Sequence, residues 1–159
     1  MPCQNPLASV ILPVYNGQET VLLTIQSIID QSFSNFELLV CDDASTDQSK
    51  DILSKVNEPR ITIYHNKSNL GLGGTLNKLI SLTNKNSGYI STIEQDDIYK
   101  PYYLEDGINY LERNIDFGLV SGISEFWDGE KIGMRFPGIL VNGGNYPRGK
   151  ELFLLNYRA

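Results

Sequence analysis

The sequence predicts an α/β fold: a Rossmann-like, mostly parallel sheet with helices on both faces. Three observations carry that expectation. Short apolar runs alternate with stretches of helical spacing over the first hundred residues. The runs are nearly continuous in Val, Ile and Leu, as strands buried on both faces are. Polar, acidic or glycine-bearing segments follow each run, where a strand hands over to a helix.

Taken in order, Ser9 to Val14 is the first strand. Glu19 to Gln31 carries Val21, Leu22, Ile25, Ile28 and Ile29 as one helical stripe. Phe36 to Cys41 is the second strand and runs directly into Asp42-Asp43. Ser45 and Gln48 form a capping box ahead of a helix bearing Ile52, Leu53 and Val56. Ile61 to His65 reads as the third strand, Leu72 to Thr83 as the third helix, and Tyr89 to Ile93 as the fourth strand. Pro101 suits the first turn of a helix carrying Leu104, Ile108 and Leu111. After residue 116 the texture changes, and eight of the fourteen glycines fall there. Leu119 to Ser124 reads as a strand, Phe126 to Arg148 as loops and short irregular strands, and Glu151 to Tyr157 as helix-like.

The 159 residues suit one domain, and a chain of about 150 residues buries roughly 70% of its unfolded surface, enough for a core without staples. Two cysteines, Cys3 and Cys41, form neither a disulfide framework nor a four-thiolate zinc site, so a reducing cytoplasm is expected. His65 is the only histidine, which argues against Ser-His-Asp and Cys-His triads and multi-histidine metal sites. Thirteen basic against nineteen acidic residues give −6 with no basic run, which argues against nucleic acid and against binding anionic membranes by charge alone. An anionic small ligand stays compatible if a metal ion stands between it and the carboxylates. No signal peptide and no membrane-spanning run is expected.

Ligands of open parallel sheets bind outside the carboxyl ends of the strands. Four segments converge there: Tyr15-Asn16-Gly17, Asp42 to Asp47, Asn69 to Gly74, and Glu94-Gln95-Asp96-Asp97. Asp42-Asp43 could accept hydrogen bonds from a base imide or a ribose hydroxyl, or simply form an acidic turn before a helix. The glycine cluster could bring amides to a phosphate, or serve a turn and tight helix packing. It is not a Walker loop, and it misses the G-x-G-x-x-G spacing because Gly71-Leu72-Gly73-Gly74 runs on to Asn77. Glu94 to Asp97 sets carboxylates side by side; a hard divalent cation would offset their repulsion, and a solvated acidic turn is the alternative.

In this order the motifs resemble family 2 glycosyltransferases of the GT-A fold. The resemblance rests on Ser9 to Asn16, Ser27 to Phe33, Phe36 to Asp47, Asn69-Leu70-Gly71 with Asn77, and Gln95 to Pro101, within about residues 8 to 114. It implies inverting transfer of a sugar from a nucleotide diphosphate donor, a UDP-sugar in this reading, to an acceptor hydroxyl in polysaccharide or glycoconjugate synthesis. By the same resemblance Pro13, Val14 and Tyr15 border the nucleobase, Asp42 holds it, and Asp43 lies close by. Asp96 faces the ribose or diphosphate, and Asp97 ligates Mn²⁺ or Mg²⁺. Asn69, Gly74 and Asn77 line the donor cleft, with Glu19 the weakest member of the set. Glu94 departs from the family, which often has Asp there. The implied partners are the nucleotide sugar and a saccharide, lipid-linked or protein acceptor. Residues 1–116 are then the donor half and 117–159 the start of a truncated acceptor half, with the general base expected beyond Ala159. Cytoplasmic location with peripheral membrane association fits that picture. A non-catalytic nucleotide-binding module is the competing reading.

Overall fold

The computed structural model describes residues 7–122, 124–127 and 132–136. By contact the chain divides into two units, Met1–Glu105 and Asp106–Ala159.

In the first unit, β1 (Ala8–Val14), β2 (Phe36–Asp42), β3 (Ile61–His65) and β4 (Tyr89–Thr92) form one sheet in the order β3-β2-β1-β4. Every pairing is parallel, as the alternation of elements requires. β1 is central and buried along its whole length, which is why its sequence is apolar without alternation. Side chains still point to opposite faces. Ile11, Leu39 and Cys41 share one face and pack with Leu79 of α3 (Gly71–Leu82), flanked by Tyr64 and Leu76. Gly73, with open space around it, costs about 1 kcal/mol relative to alanine inside a helix, so α3 leans on burying Thr75 and Leu79. Val10, Leu12, Leu38 and Val40 turn to the other face and are fully buried.

The helix α1 (Val21–Ile29) buries Val21, Thr24, Ile25 and Ile28. Thr24 thus takes the place expected of Leu22, which is 51% exposed. The capping box at Ser45 and Gln48 does not form. α2 (Ser49–Leu53) begins later, and Asp47 Oδ1 accepts the Ser49 N–H at 2.9 Å. Ser45 is drawn away instead, its Oγ accepting the Asn16 N–H at 3.0 Å. α4 (Tyr103–Arg113) starts two residues after Pro101, with Gln31 Oε1 accepting the Leu104 N–H at 3.0 Å.

In the second unit the strand expected at Leu119 to Ser124 is replaced by one starting at Ser124. Leu119 is 56% exposed and has no ladder partner among the described residues. β5 (Ser124–Trp127) and β6 (Ile132–Phe136) pair antiparallel, with an irregular register between Phe126 and Trp127. The helix-like stretch at Glu151 to Tyr157 and Cys3 lie outside the described residues.

Candidate functional site

Because all four strands run the same way, their carboxyl ends share an edge, and the four polar segments meet there. They enclose a cleft of about 360 Å³ whose walls include Pro13, Val14, Tyr15, Asp43, Asn69, Thr75, Gln95 and Asp96. That volume suits a small organic ligand. A second hollow of about 310 Å³, with Glu19, Asp47 and Asp96 on its wall, adjoins the start of α1.

The floor is set by a clamp between the loops after β1 and β2. The ladder runs one bond past the strands, Asp43 N–H donating to Val14 O at 2.7 Å. Asn16 and Ala44 then take φ of 54° and 59°. Asn tolerates that region, but for alanine it costs on the order of 1–2 kcal/mol, so the surroundings hold it there. Asn16 Oδ1 accepts the Thr46 N–H at 2.8 Å, Ser49 Oγ accepts the Gly17 N–H at 2.8 Å, and Asp47 Oδ2 accepts the Gln18 N–H at 3.0 Å. Burial opposes ionisation of Asp47, but the Ser49 hydroxyl and amide and the Gln18 amide outweigh it and hold its carboxyl below the usual range.

Gln95 ties the third segment to this clamp. Its amide bonds both polar groups of the Tyr15 backbone, the N–H at 2.6 Å and the C=O at 2.9 Å. A Cβ at Gly17 would stand 2.8 Å from Gln95 Oε1, so only glycine leaves the amide in place. α1 and Gln31, two residues past its end, then hold the rest of the 94–101 loop through a polar row at helical spacing. Thr24 Oγ1 donates to Gln95 O at 2.7 Å, Ser27 Oγ accepts the Tyr99 N–H at 3.1 Å, and Gln31 Nε2 donates to Lys100 O at 2.8 Å. The loop carrying Asp96 and Asp97 is therefore fixed by backbone bonds.

The paired aspartates diverge. Asp42 is 2% exposed, and its carboxylate accepts from the Ser45 amide at 3.3 Å and lies 3.5 Å from His65 Nδ1. It stands outside the cleft lining, whereas Asp43 is part of it. The cause is strand alternation: Asp42 is the last residue of β2 and turns opposite to Cys41, beside its register partner His65. Asp43 returns to the α3 side, where its Oδ1 accepts from Asn66 Nδ2 at 2.6 Å and from the Leu70 N–H at 2.8 Å. Burial alone would raise its pKa; the Leu70 amide, Asn66, Thr75 and the Gly71 amide more than offset it, so the carboxyl stays ionised below the usual range.

Of the other expected residues, Pro13, Val14, Tyr15, Asn69 and Asp96 stand on the cleft wall, while Gly74, Asn77 and Asp97 do not. Gly74 has a packing reason, since a Cβ there would stand 2.9 Å from Leu70 Cβ. Gly71 has a conformational one, φ 72°. Two amides at the start of α3 are already engaged, Leu70 by Asp43 and Gly71 by Asn69 Oδ1 at 2.8 Å, so these two are not offered to a phosphate. Partial burial, and then the charge of Asp96, push the Asp97 carboxyl above its usual range. Among the described residues no cluster of three or more His, Cys, Asp or Glu could hold a metal ion unaided. Asn66, Thr75 and Thr24 stand in none of the motifs read from the sequence, whereas Gln95 and Gln31 stand in motifs that give them no role of their own.

The family profile of Glycosyl transferase family 2 matches residues 9–153. The chain belongs to this family. An uncharacterised glycosyltransferase of Haemophilus influenzae is 39% identical over 111 residues, 69% of this chain and 34% of that protein. The UDP-Glc:alpha-D-GlcNAc-diphosphoundecaprenol beta-1,3-glucosyltransferase WfaP of Escherichia coli is 30% identical over 106 residues, 67% of this chain and 41% of that protein. Among solved structures, S. aureus TarS 1-349, also solved with UDP-GlcNAc and with UDP, superposes with a TM-score of 0.62 at 26% identity. It covers 68% of this chain and 33% of TarS 1-349. The chain thus spans between a third and two fifths of these relatives. The fold of this family 2 chain is the GT-A fold, and relatives of it work in polysaccharide synthesis. No helix among its described residues is long and apolar enough to cross a membrane.

Proposed function

We propose that this chain is the nucleotide-sugar-binding part of an inverting glycosyltransferase that moves a sugar from UDP to an acceptor hydroxyl, in polysaccharide or glycoconjugate synthesis. The carrying observation is Asp43, a buried, ionised carboxylate on the wall of the strand-end cleft. A carboxylate only accepts, so it suits the imide N–H of uracil, which Pro13, Val14 and Tyr15 would border. The UDP and UDP-GlcNAc complexes of TarS, and the UDP-Glc in the name of WfaP, support uridine as the nucleoside. In this assignment Asp43 takes the base contact, and Asp42 braces the turn behind it through the Ser45 amide. Asp96 and Asn69 face the ribose and diphosphate.

A divalent cation fits the donor set. Asp96 and Asp97 are hard oxygen ligands whose mutual repulsion a cation relieves, and too few carboxylates are gathered to bind one without help from phosphates. Asp97, with Asp96 beside it, would hold Mn²⁺ or Mg²⁺, which would supply charge stabilisation to the departing nucleoside diphosphate. The proton of the attacking hydroxyl must pass to a carboxylate on the acceptor side; none of the cleft residues is assigned that role. Residues 1–116 form the donor half and 117–159 begin the acceptor half. The diphosphoundecaprenol in the name of WfaP supports a lipid-linked saccharide acceptor, and with it a cytoplasmic, membrane-peripheral site of work.

A donor screen tests this reading. With Mn²⁺ present, UDP-sugars are expected to be bound and hydrolysed in preference to GDP- and dTDP-sugars. Preference for a GDP-sugar would overturn the uridine assignment, and binding without hydrolysis or transfer would favour a non-catalytic module.

A further inference from the structure

Behind the cleft, on the α3 side of the sheet, a chain of polar groups ends on Asp43. Asn66, just after β3, is fixed at its backbone by donating to Asp42 O at 2.8 Å. Its side-chain Nδ2 donates to Asp43 Oδ1 at 2.6 Å and to Thr75 Oγ1 at 3.1 Å. Its Oδ1 accepts from Lys78 Nζ at 2.6 Å, with the buried Cys41 thiol a weaker donor at 3.5 Å. An ammonium has donors and no acceptor, so it admits only the oxygen end of the amide. The NH₂ end is thereby turned to the carboxylate. The flipped amide would set oxygen against the carboxylate and NH₂ against the ammonium. Neither Asn66 nor Lys78 lines the cleft.

We propose that Asn66, oriented by Lys78, is a positioning residue that fixes the Asp43 carboxylate for its contact with the nucleotide. The proposal rests on the reading of the cleft as a nucleotide site. Lys78 also lies 5.9 Å from the centre of the Tyr64 ring, so a purely packing role is the alternative to be separated. The two roles differ in one respect: positioning acts only through Asp43, whereas packing acts whether or not Asp43 is present.

The test is a double-mutant cycle read by calorimetric titration of UDP, with Mn²⁺, into the full chain, alongside its melting temperature. Lys78→Met and Asn66→Ala are each expected to weaken UDP about tenfold, the size of one hydrogen bond to a charged group. Neither is expected to weaken it further once Asp43→Ala is in place. Lys78→Arg, which keeps a donor at the amide oxygen, restores most of the affinity. If Asn66→Ala fails to fold, Lys78→Met carries the test, because its unbranched stem still covers Tyr64. Wild-type UDP affinity in the single variants, or equal losses with and without Asp43, overturns the positioning role; the cleft reading stands if Asp43→Ala itself loses UDP. If Asp43→Ala binds UDP normally, the cleft reading fails and the proposal falls with it.

Discussion

Asp43→Asn is expected to lower UDP affinity on the order of a hundredfold, the upper range for a hydrogen bond to a charged group. The substitution keeps the shape of the side chain while removing its charge and turning one acceptor oxygen into an NH₂ donor. Asn66 and the Leu70 amide both donate to Oδ1, so they hold the amide oxygen there and turn the NH₂ to the cleft, where it has nothing to accept the imide N–H with. A loss of about 1–3 kcal/mol is the usual cost of such a mismatch. The pH dependence has a definite sign. The folded pKa of Asp43 lies below its ordinary value, so the wild type binds fewer protons folded than unfolded in acid. Its contribution is present above the ordinary carboxylate range and is lost as pH falls toward the depressed folded value. Chemical denaturation at a series of pH values should therefore show a shallower acid loss in Asp43→Asn. An Asn variant that binds UDP as the wild type does would remove Asp43 from the nucleotide contact.

Asp97→Ala should separate binding from stability in the opposite way. In the wild type, UDP affinity is expected to rise with Mn²⁺, and the variant should lose that increment, on the order of ten- to a hundredfold. Its melting temperature should not fall. Partial burial and the neighbouring Asp96 raise the folded pKa of Asp97, so its ionised form costs stability above that pKa and the cost fades as pH falls through it. Removing the carboxyl removes the cost. Titration with and without EDTA, paired with thermal melts, checks both halves. A metal increment that survives the substitution would contradict the ligand role of Asp97.

The sheet and its functional edge were legible in the sequence because both follow from pattern. Continuous apolar runs mark strands buried on two faces, and alternation with helices makes those strands parallel. Parallel strands then oblige Tyr15, Asp43, Asn69 and Asp96 to meet at one end. Finer placement was not legible. Asp42 and Asp43 are adjacent and chemically identical, and only the phase of β2 decides which one faces α3. The spacing of Ser45 to Gln48 suits a cap, but the turned backbone at Ala44 sends its hydroxyl to Asn16. The row Thr24, Ser27 and Gln31 did leave a signal: polar residues at helical spacing beside an apolar stripe, which is where a helix holds a neighbouring backbone. Leu119 and Val120 misled because apolar content resembles a strand when no partner is known. The roles of Asn66 and Lys78 lie in contacts between segments distant in sequence, which no local pattern reveals.

The most direct measurement of the central claim, that an ionised Asp43 reads a uracil imide in the strand-end cleft, is calorimetric titration with UDP and with CDP under the same Mn²⁺ concentration. Uracil offers an N–H at its third ring position, where cytosine offers a lone pair that the carboxylate repels. UDP is expected to bind on the order of a hundredfold more tightly than CDP, and that preference should vanish in Asp43→Asn. Equal affinity for the two nucleotides in the wild type would contradict the account.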